Sequence, residues 1–529
     1  MTITETRSQA PGSRSVDDGS ALPEPRGLAG WLTTGDHKRI GQSWVLSTLF
    51  LLLVAAGIGV VVGIERVQDG EDLIGARTVA DLLHIHGTTL AWLVVAPLAL
   101  GIATHVVPLQ VGAANVAFPR ASAVAFWTWL LSGGLLLTGY GVGGGPAGTS
   151  ETGVDLWLAG QFGVAVALAI GLVSVVTTVV ALRAPGMGLR EAPFFSWSVL
   201  TGGGLLLLSL AVLMADLTFL YVGHHFGGEL PAGTALSQWP IAAPGLFLLT
   251  VPAMGVAADV VPVFARVRQE RPGVVLALLG ALALFGFGAW AQLSEPTREP
   301  VLWATSALVL LPALGLLAGA ADTLRRGRPR PGTPLVWALT ANLLLLLAAL
   351  AGALAVIDPL ELHGTAWNDG VRHLALGAAL LGLLGGLVYW APKMWGTRVP
   401  EPLSGLAVLA VLGGVLLTAA ADLVAGLVDD VPAGQPDFGS SDLAGVLGVV
   451  GALGNVLFAA GALLVLLAVL AAARKGRTRP TGADPWEGHT LEWATASPPP
   501  PGNFPEPLPP VTSDRPLLDA RTTTTEAPA

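Results

Sequence analysis

Apolar runs of about 20 residues or more, each long enough to cross a bilayer as a helix, recur along nearly the whole chain with short polar segments between them. Twelve such runs stand at about 41–64, 83–107, 121–143, 156–183, 195–222, 239–265, 272–294, 300–324, 334–357, 370–392, 403–428 and 442–473. The pattern predicts an all-α polytopic membrane protein of twelve transmembrane helices. The segments between the runs alternate in charge. Lys38 and Arg39, Arg120, Arg183 and Arg190, Arg266 with Arg268 and Arg271, Arg325 to Arg330, Lys393 with Arg398, and Arg474 to Arg479 all fall on one common side. Asp155, Glu229, Glu295, Glu299, Asp358, Glu361, Asp429 and Asp430 fall on the other. Lys and Arg concentrate in cytoplasmic loops, so both termini are expected to be cytoplasmic, in a cell membrane.

Composition agrees and narrows the chemistry. Of 529 residues, 53% are apolar and only 12% charged, which excludes an ordinary soluble enzyme. With no cysteine, disulfides, thiolate zinc sites, iron–sulfur clusters and thioether-attached heme are excluded, and any metal must rest on histidine or oxygen. Residues 1–36 lack the features of a signal peptide and read as a cytoplasmic tail. The helical domain is expected over 37–475, followed by a cytoplasmic Pro-rich tail over 476–529, extended or disordered after Pro498 for want of apolar residues. The net charge of −9 is divided between two membrane faces and points to no nucleic acid.

The candidate chemistry sits at the ends of two runs. His84 and His86 begin the second, and His373 lies a similar short distance inside the tenth. Both runs start on the outer side, so His373 lies level with this pair and two imidazoles could clamp one heme iron. A histidine within an apolar span is costly unless partnered, and the plainer alternative is a packed residue bonded to a neighbouring helix. His84 and His86 lie about 200° apart on a helix, so only one faces the partner, and spacing does not choose. His105 lies too far along the second run to share that site and reads as packed or interfacial. His224 and His225, with Tyr221 nearby, lack an evident third ligand and read as solvent-facing loop residues at the outer end of the fifth run.

Long strings of this chain resemble subunit I of the heme-copper oxidases, the cytochrome c oxidase type. TTGDHKRIG (33–41) is similar to the family's TTDHKRIG, and HGTT (86–89) to its MHGTT. VPLQVGAANVAFPR (107–120) resembles VPLQIGARDMAFPR, and DPWEGHTLEWATASPPPPGNF (484–504) resembles the family's tail signature. The resemblance implies a twelve-helix fold of three pseudo-symmetric arcs. It also implies that His86, rather than His84, and His373 are the axial ligands of a low-spin heme, with His363 aligning to the histidine of the family's HDTY.

Other family positions differ. Val371 stands where the high-spin heme ligand belongs, Ala243, Gln292 and Leu293 where three copper ligands belong, Gly245 where a proton-relay glutamate belongs and Phe247 where a crosslinked tyrosine belongs. Asn115 replaces the aspartate that opens one proton pathway, and it cannot exchange a proton near neutral pH as a carboxylate can. Asp429 and Asp430 lie near the place of the arginines that neutralise heme propionates, for which Arg372 is a candidate substitute. The expectation is a bacterial paralogue binding one low-spin heme, with copper not expected. It would transfer electrons in a respiratory complex with a subunit II-like partner and a cytochrome c-type donor, in contact with membrane lipid. The competing readings are an active terminal oxidase, reducing dioxygen with electrons from cytochrome c, and a structural or assembly subunit.

Overall fold

The computed structural model describes residues 33–67, 74–146, 148–227, 243–287, 304–435, 437–438 and 442–526, with Gly27, Gly30 and Trp31. Its membrane-length helices are α1 (His37–Glu65), α2 (Thr78–Gln110), α3 (Pro119–Gly141), α4 (Glu151–Ala181), α5 (Phe194–Phe226) and α6 (Ala243–Ala265) in the first half. The second half has α7 (Pro272–Phe287), α8 (Ala304–Arg326), α9 (Thr333–Leu354), α10 (Trp367–Trp395), α11 (Glu401–Val428) and α12 (Asp442–Gly476). Eleven are long and apolar enough to span a bilayer, and α7 is a shorter apolar helix in the seventh predicted place. The chain is therefore the all-helical, multi-span membrane protein that its hydropathy pattern predicts.

Three helices spaced four apart in sequence form the centre. The apolar stretches of α2, α6 and α10 are 94%, 89% and 100% buried, against 61% or less for the other long spans. A helix apolar on every side belongs inside a bundle. α10 packs against both α2 and α6, and the outer helices ring them until α12 closes on α1. Small residues set the spacing at the tightest contacts: a Cβ on Gly414 of α11 would come within 2.5 Å of the Phe458 backbone on α12. Local signals fix the helix ends, as where Asp36 accepts the Lys38 amide to cap α1, and where Gly396, at φ +84°, stops α10 in a left-handed turn.

α2 is not uniform. Between its α-helical parts, Thr89–Val95 widens into a π-helical turn, beginning three residues after His86 and ending before Pro97, which lacks an amide hydrogen. Such a turn carries one extra residue and re-aims the helix around it.

The segment after α12 corrects the expectation of an extended or disordered tail. It lies across the ends of α1, α2, α6 and α10, with Leu491, Glu492, Trp493, Asn503 and Arg515 buried, and ends in α13 (Pro516–Glu526). Polar anchors hold it. Lys393 donates to the carbonyls of Ala483 and Thr495 at 2.9 and 2.6 Å and lies over the Trp493 ring. Arg515 pairs with Asp259 at 3.0 Å, and Asn503 bonds Lys38 and the Ala113 carbonyl. Apolar content after Pro498 is indeed low, and polar anchors such as Asn503 and Arg515 hold this part in place instead.

Candidate heme site

His86 and His373 meet. Their ring centres lie 6.3 Å apart at 55°, with His86 on the early part of α2 and His373 near the start of α10. Metal–imidazole bonds run about 2.0–2.1 Å and a ring nitrogen lies about 1.1–1.2 Å from its ring centre, so two imidazoles sharing one ion stand about 6.3 Å apart. The spacing fits. Both histidines line a cleft walled by Leu90, Val95, Leu376, Gly377, Leu380, Gly414, Val415 and Phe458, with Thr418 and Asn455 as its other polar residues. Gly377 and Gly414 keep side chains out of this wall, since a Cβ on Gly377 would stand 2.5 Å from Val415. An apolar slot between two opposed imidazoles suits a flat, largely apolar macrocycle.

Hydrogen bonds fix the tautomer of each ring. His86 Nδ1 lies 2.9 Å from the Ala55 carbonyl oxygen on α1, which can only accept, so Nδ1 carries the proton and Nε2 keeps its lone pair. His373 Nδ1 likewise donates to Asp422 Oδ2 of α11 at 2.7 Å. Asp422 is fully buried and its other oxygen accepts from Arg66 at 3.1 Å. Arg66 also donates to the Gln435 carbonyl and lies over the Phe438 ring at 4.5 Å. A carboxylate behind a histidine orients the ring and makes it a stronger ligand. Sequence reading missed Asp422 and Arg66, and a buried Asp in the eleventh run was the available signal.

The remaining candidates are placed as follows. His84 has its ring 6.0 Å from that of Tyr140. Arg372 is ion-paired with Asp369 one turn earlier, and Asp369 accepts the Gly434 amide at 2.7 Å. Asp429 caps the end of α11, and Asp430 takes a left-handed conformation at φ +49°. His105 is fully buried, its Nδ1 donating to the Lys38 carbonyl at 3.1 Å. Val371 and Phe247 are both buried and flank Gly352 of α9, whose Cβ would lie 3.8 and 3.7 Å from them. Asn115 braces the approach to α1, donating to the Gly35 carbonyl and accepting the His37 amide. Ala243 and Gly245 fall in the first turn of α6. Gln292 and Leu293, with Glu229, Glu295 and Glu299, lie outside the described residues.

Fold and site together define a polytopic helical membrane protein with a paired-histidine cleft between its second and tenth helices. The profile of the family described as "Cytochrome C and Quinol oxidase polypeptide I" matches residues 39–473, and the chain belongs to that family. A Streptomyces avermitilis protein named, provisionally, cytochrome c oxidase subunit 1-beta is 28% identical, over 98% of this chain and 94% of its own length. Cytochrome c oxidase subunit 1 of Corynebacterium glutamicum is 27% identical over 94% of this chain and 91% of its own. Among solved structures, a heme-copper terminal oxidase dimer superposes with a TM-score of 0.64 at 14% identity, covering 83% of this chain and 84% of that one. That likeness shows the shared fold.

Proposed function

We propose that the chain binds one low-spin heme between His86 and His373 and passes electrons within a membrane respiratory complex without reducing dioxygen. The observation that carries this reading is the pair of opposed imidazoles, 6.3 Å apart, each with Nδ1 engaged behind it. His86 and His373 would hold the heme, which would supply one-electron transfer. The chain's own residues hold the rings in place, shield the cleft with apolar walls, and set Asp422 and Arg66 as a compensated charge pair behind His373.

The side chains at the family's catalytic positions do not suit dioxygen chemistry. Val371 offers no donor, Ala243, Gln292 and Leu293 cannot replace three imidazoles around copper, and Phe247 has no phenolic hydrogen. Gly245 and Asn115 have no side-chain group that ionises near neutral pH. The names of the relatives favour the other reading, an active terminal oxidase. As members of this family work in oxidase complexes, we assign the chain a subunit II-like partner, a cytochrome c-type donor and a bacterial cell membrane, with both termini cytoplasmic.

Optical and EPR spectra with metal analysis of the purified protein separate the readings. One low-spin heme per chain, no copper, and a reduced spectrum unchanged by carbon monoxide are expected. Stoichiometric carbon monoxide binding with copper retained after chelation would overturn the proposal in favour of the oxidase.

A further inference from the structure

Outside the cleft, three metal-ligating side chains converge where α4 begins and α5 ends. α5 runs through Phe226, so His224 and His225 stand on its last turn rather than in a loop. Successive helical residues point about 100° apart, yet these two rings lie with centres 5.0 Å apart. What joins them is Asp155 of the neighbouring helix. Its Oδ1 lies 2.7 Å from His225 Nε2 and 3.9 Å from His224 Nε2, and the three donor atoms all fall within 4.8 Å of one another. Tyr221, one turn before His225, packs against its ring at 4.5 Å.

We propose that Asp155, His224 and His225 form a divalent transition-metal site of the zinc type that clasps the end of α5 to the start of α4. Two imidazoles and one carboxylate suit zinc rather than magnesium or calcium, which prefer shells of oxygen. The distances suit it too. Donors about 2.0–2.1 Å from a tetrahedral ion stand about 3.3 Å from one another, and the observed 2.7 and 3.9 Å fall on either side of that value. The carbonyl-rich C-terminal end of α5 adds a favourable field for a cation, and water completes a three-ligand site. The competing account is a simple hydrogen bond between His225 and Asp155, with His224 a bystander.

The site is independent of the heme reading, because none of its residues touches the cleft. The test is zinc binding to the full-length purified protein in lipid nanodiscs, by competition with a chromophoric chelator. One Zn²⁺ per chain is expected, not displaced by excess Mg²⁺. His224→Gln, His225→Gln and Asp155→Asn should each weaken binding by about tenfold or more, since each removes a ligand. His363→Gln, changing another exposed histidine, should leave it unaltered. Zinc should also raise the Tm of the wild type and of His363→Gln, but not of the three site variants. Unchanged affinity in His224→Gln would overturn the proposal in favour of the simple hydrogen bond, as would equal competition by Mg²⁺. So would a Tm lowered by Asp155→Asn with no dependence on zinc in the wild type.

Discussion

At the scale of single residues, the strongest claim concerns what stands behind His373. Asp422 is fully buried and held between His373 and Arg66, so its charge acts on the imidazole at short range and with little screening. Replacing Asp422 with Asn should raise the reduction potential by on the order of tens of millivolts, because the oxidised, more positive iron loses a stabilising carboxylate. Potentiometric titration of the purified variant reads this, and an unchanged potential would detach Asp422 from the heme. Replacing His86 or His373 with Ala should abolish the low-spin spectrum, while His84→Ala, whose ring packs toward Tyr140, should keep it. A six-coordinate low-spin spectrum surviving in both His86 and His373 variants would refute the ligand assignment. The two histidines were legible in the sequence because alternate spans place them at one depth and because HGTT carries a family resemblance. Asp422 and Arg66 were not, since their partners lie 49 and 356 positions away and no local period encodes that pairing. The pairing of Asp155 with His225 escaped the sequence reading for the same reason, the two lying 70 positions apart.

At the scale of elements, hydropathy located the helices but misjudged the segment that follows them. Trp486, Leu491 and Trp493 supply apolar anchors, while Lys393, Arg515 and Asn503 supply polar ones. A count of apolar residues sees only the first kind. Within this segment, burial and then the guanidiniums of Arg515, Arg521, Arg268 and Arg330 push His489 from its ordinary 6.5 down to about 3. The unfolded imidazole therefore takes up a proton that the docked one refuses, and the stability present above pH 6.5 is lost as the pH falls toward 3. Glu492, raised by burial and then by the nearby Asp259 charge, acts with the opposite sign above its ordinary 4.5. Comparing the wild type with His489→Asn isolates the first effect. The wild type should lose more Tm between about pH 7 and about pH 5 than the variant, and equal losses would mean that His489 is not buried neutral.

At the scale of the whole molecule, α2, α6 and α10 are the most buried of the long spans, and the paired histidines join two of these three helices. Topology follows from charge: reporter fusions after Arg120 and after Asp430 should give opposite signals, and equal signals would mean an odd error in the span count between them. The π-helical turn at Thr89–Val95 has a consequence for how this chain tolerates change. One residue there is surplus to an α-helix, so deleting Ala91 alone should let the helix close into regular pitch. Closing that turn takes up the missing residue, so both halves of α2, the one bearing His86 included, should stay near their present places. Such a protein should fold, insert and keep its low-spin signal, read from the optical spectrum of the purified variant, and loss of that signal would mean that the wide turn itself aims His86. The turn would then be spare length in the helix that carries the ligand.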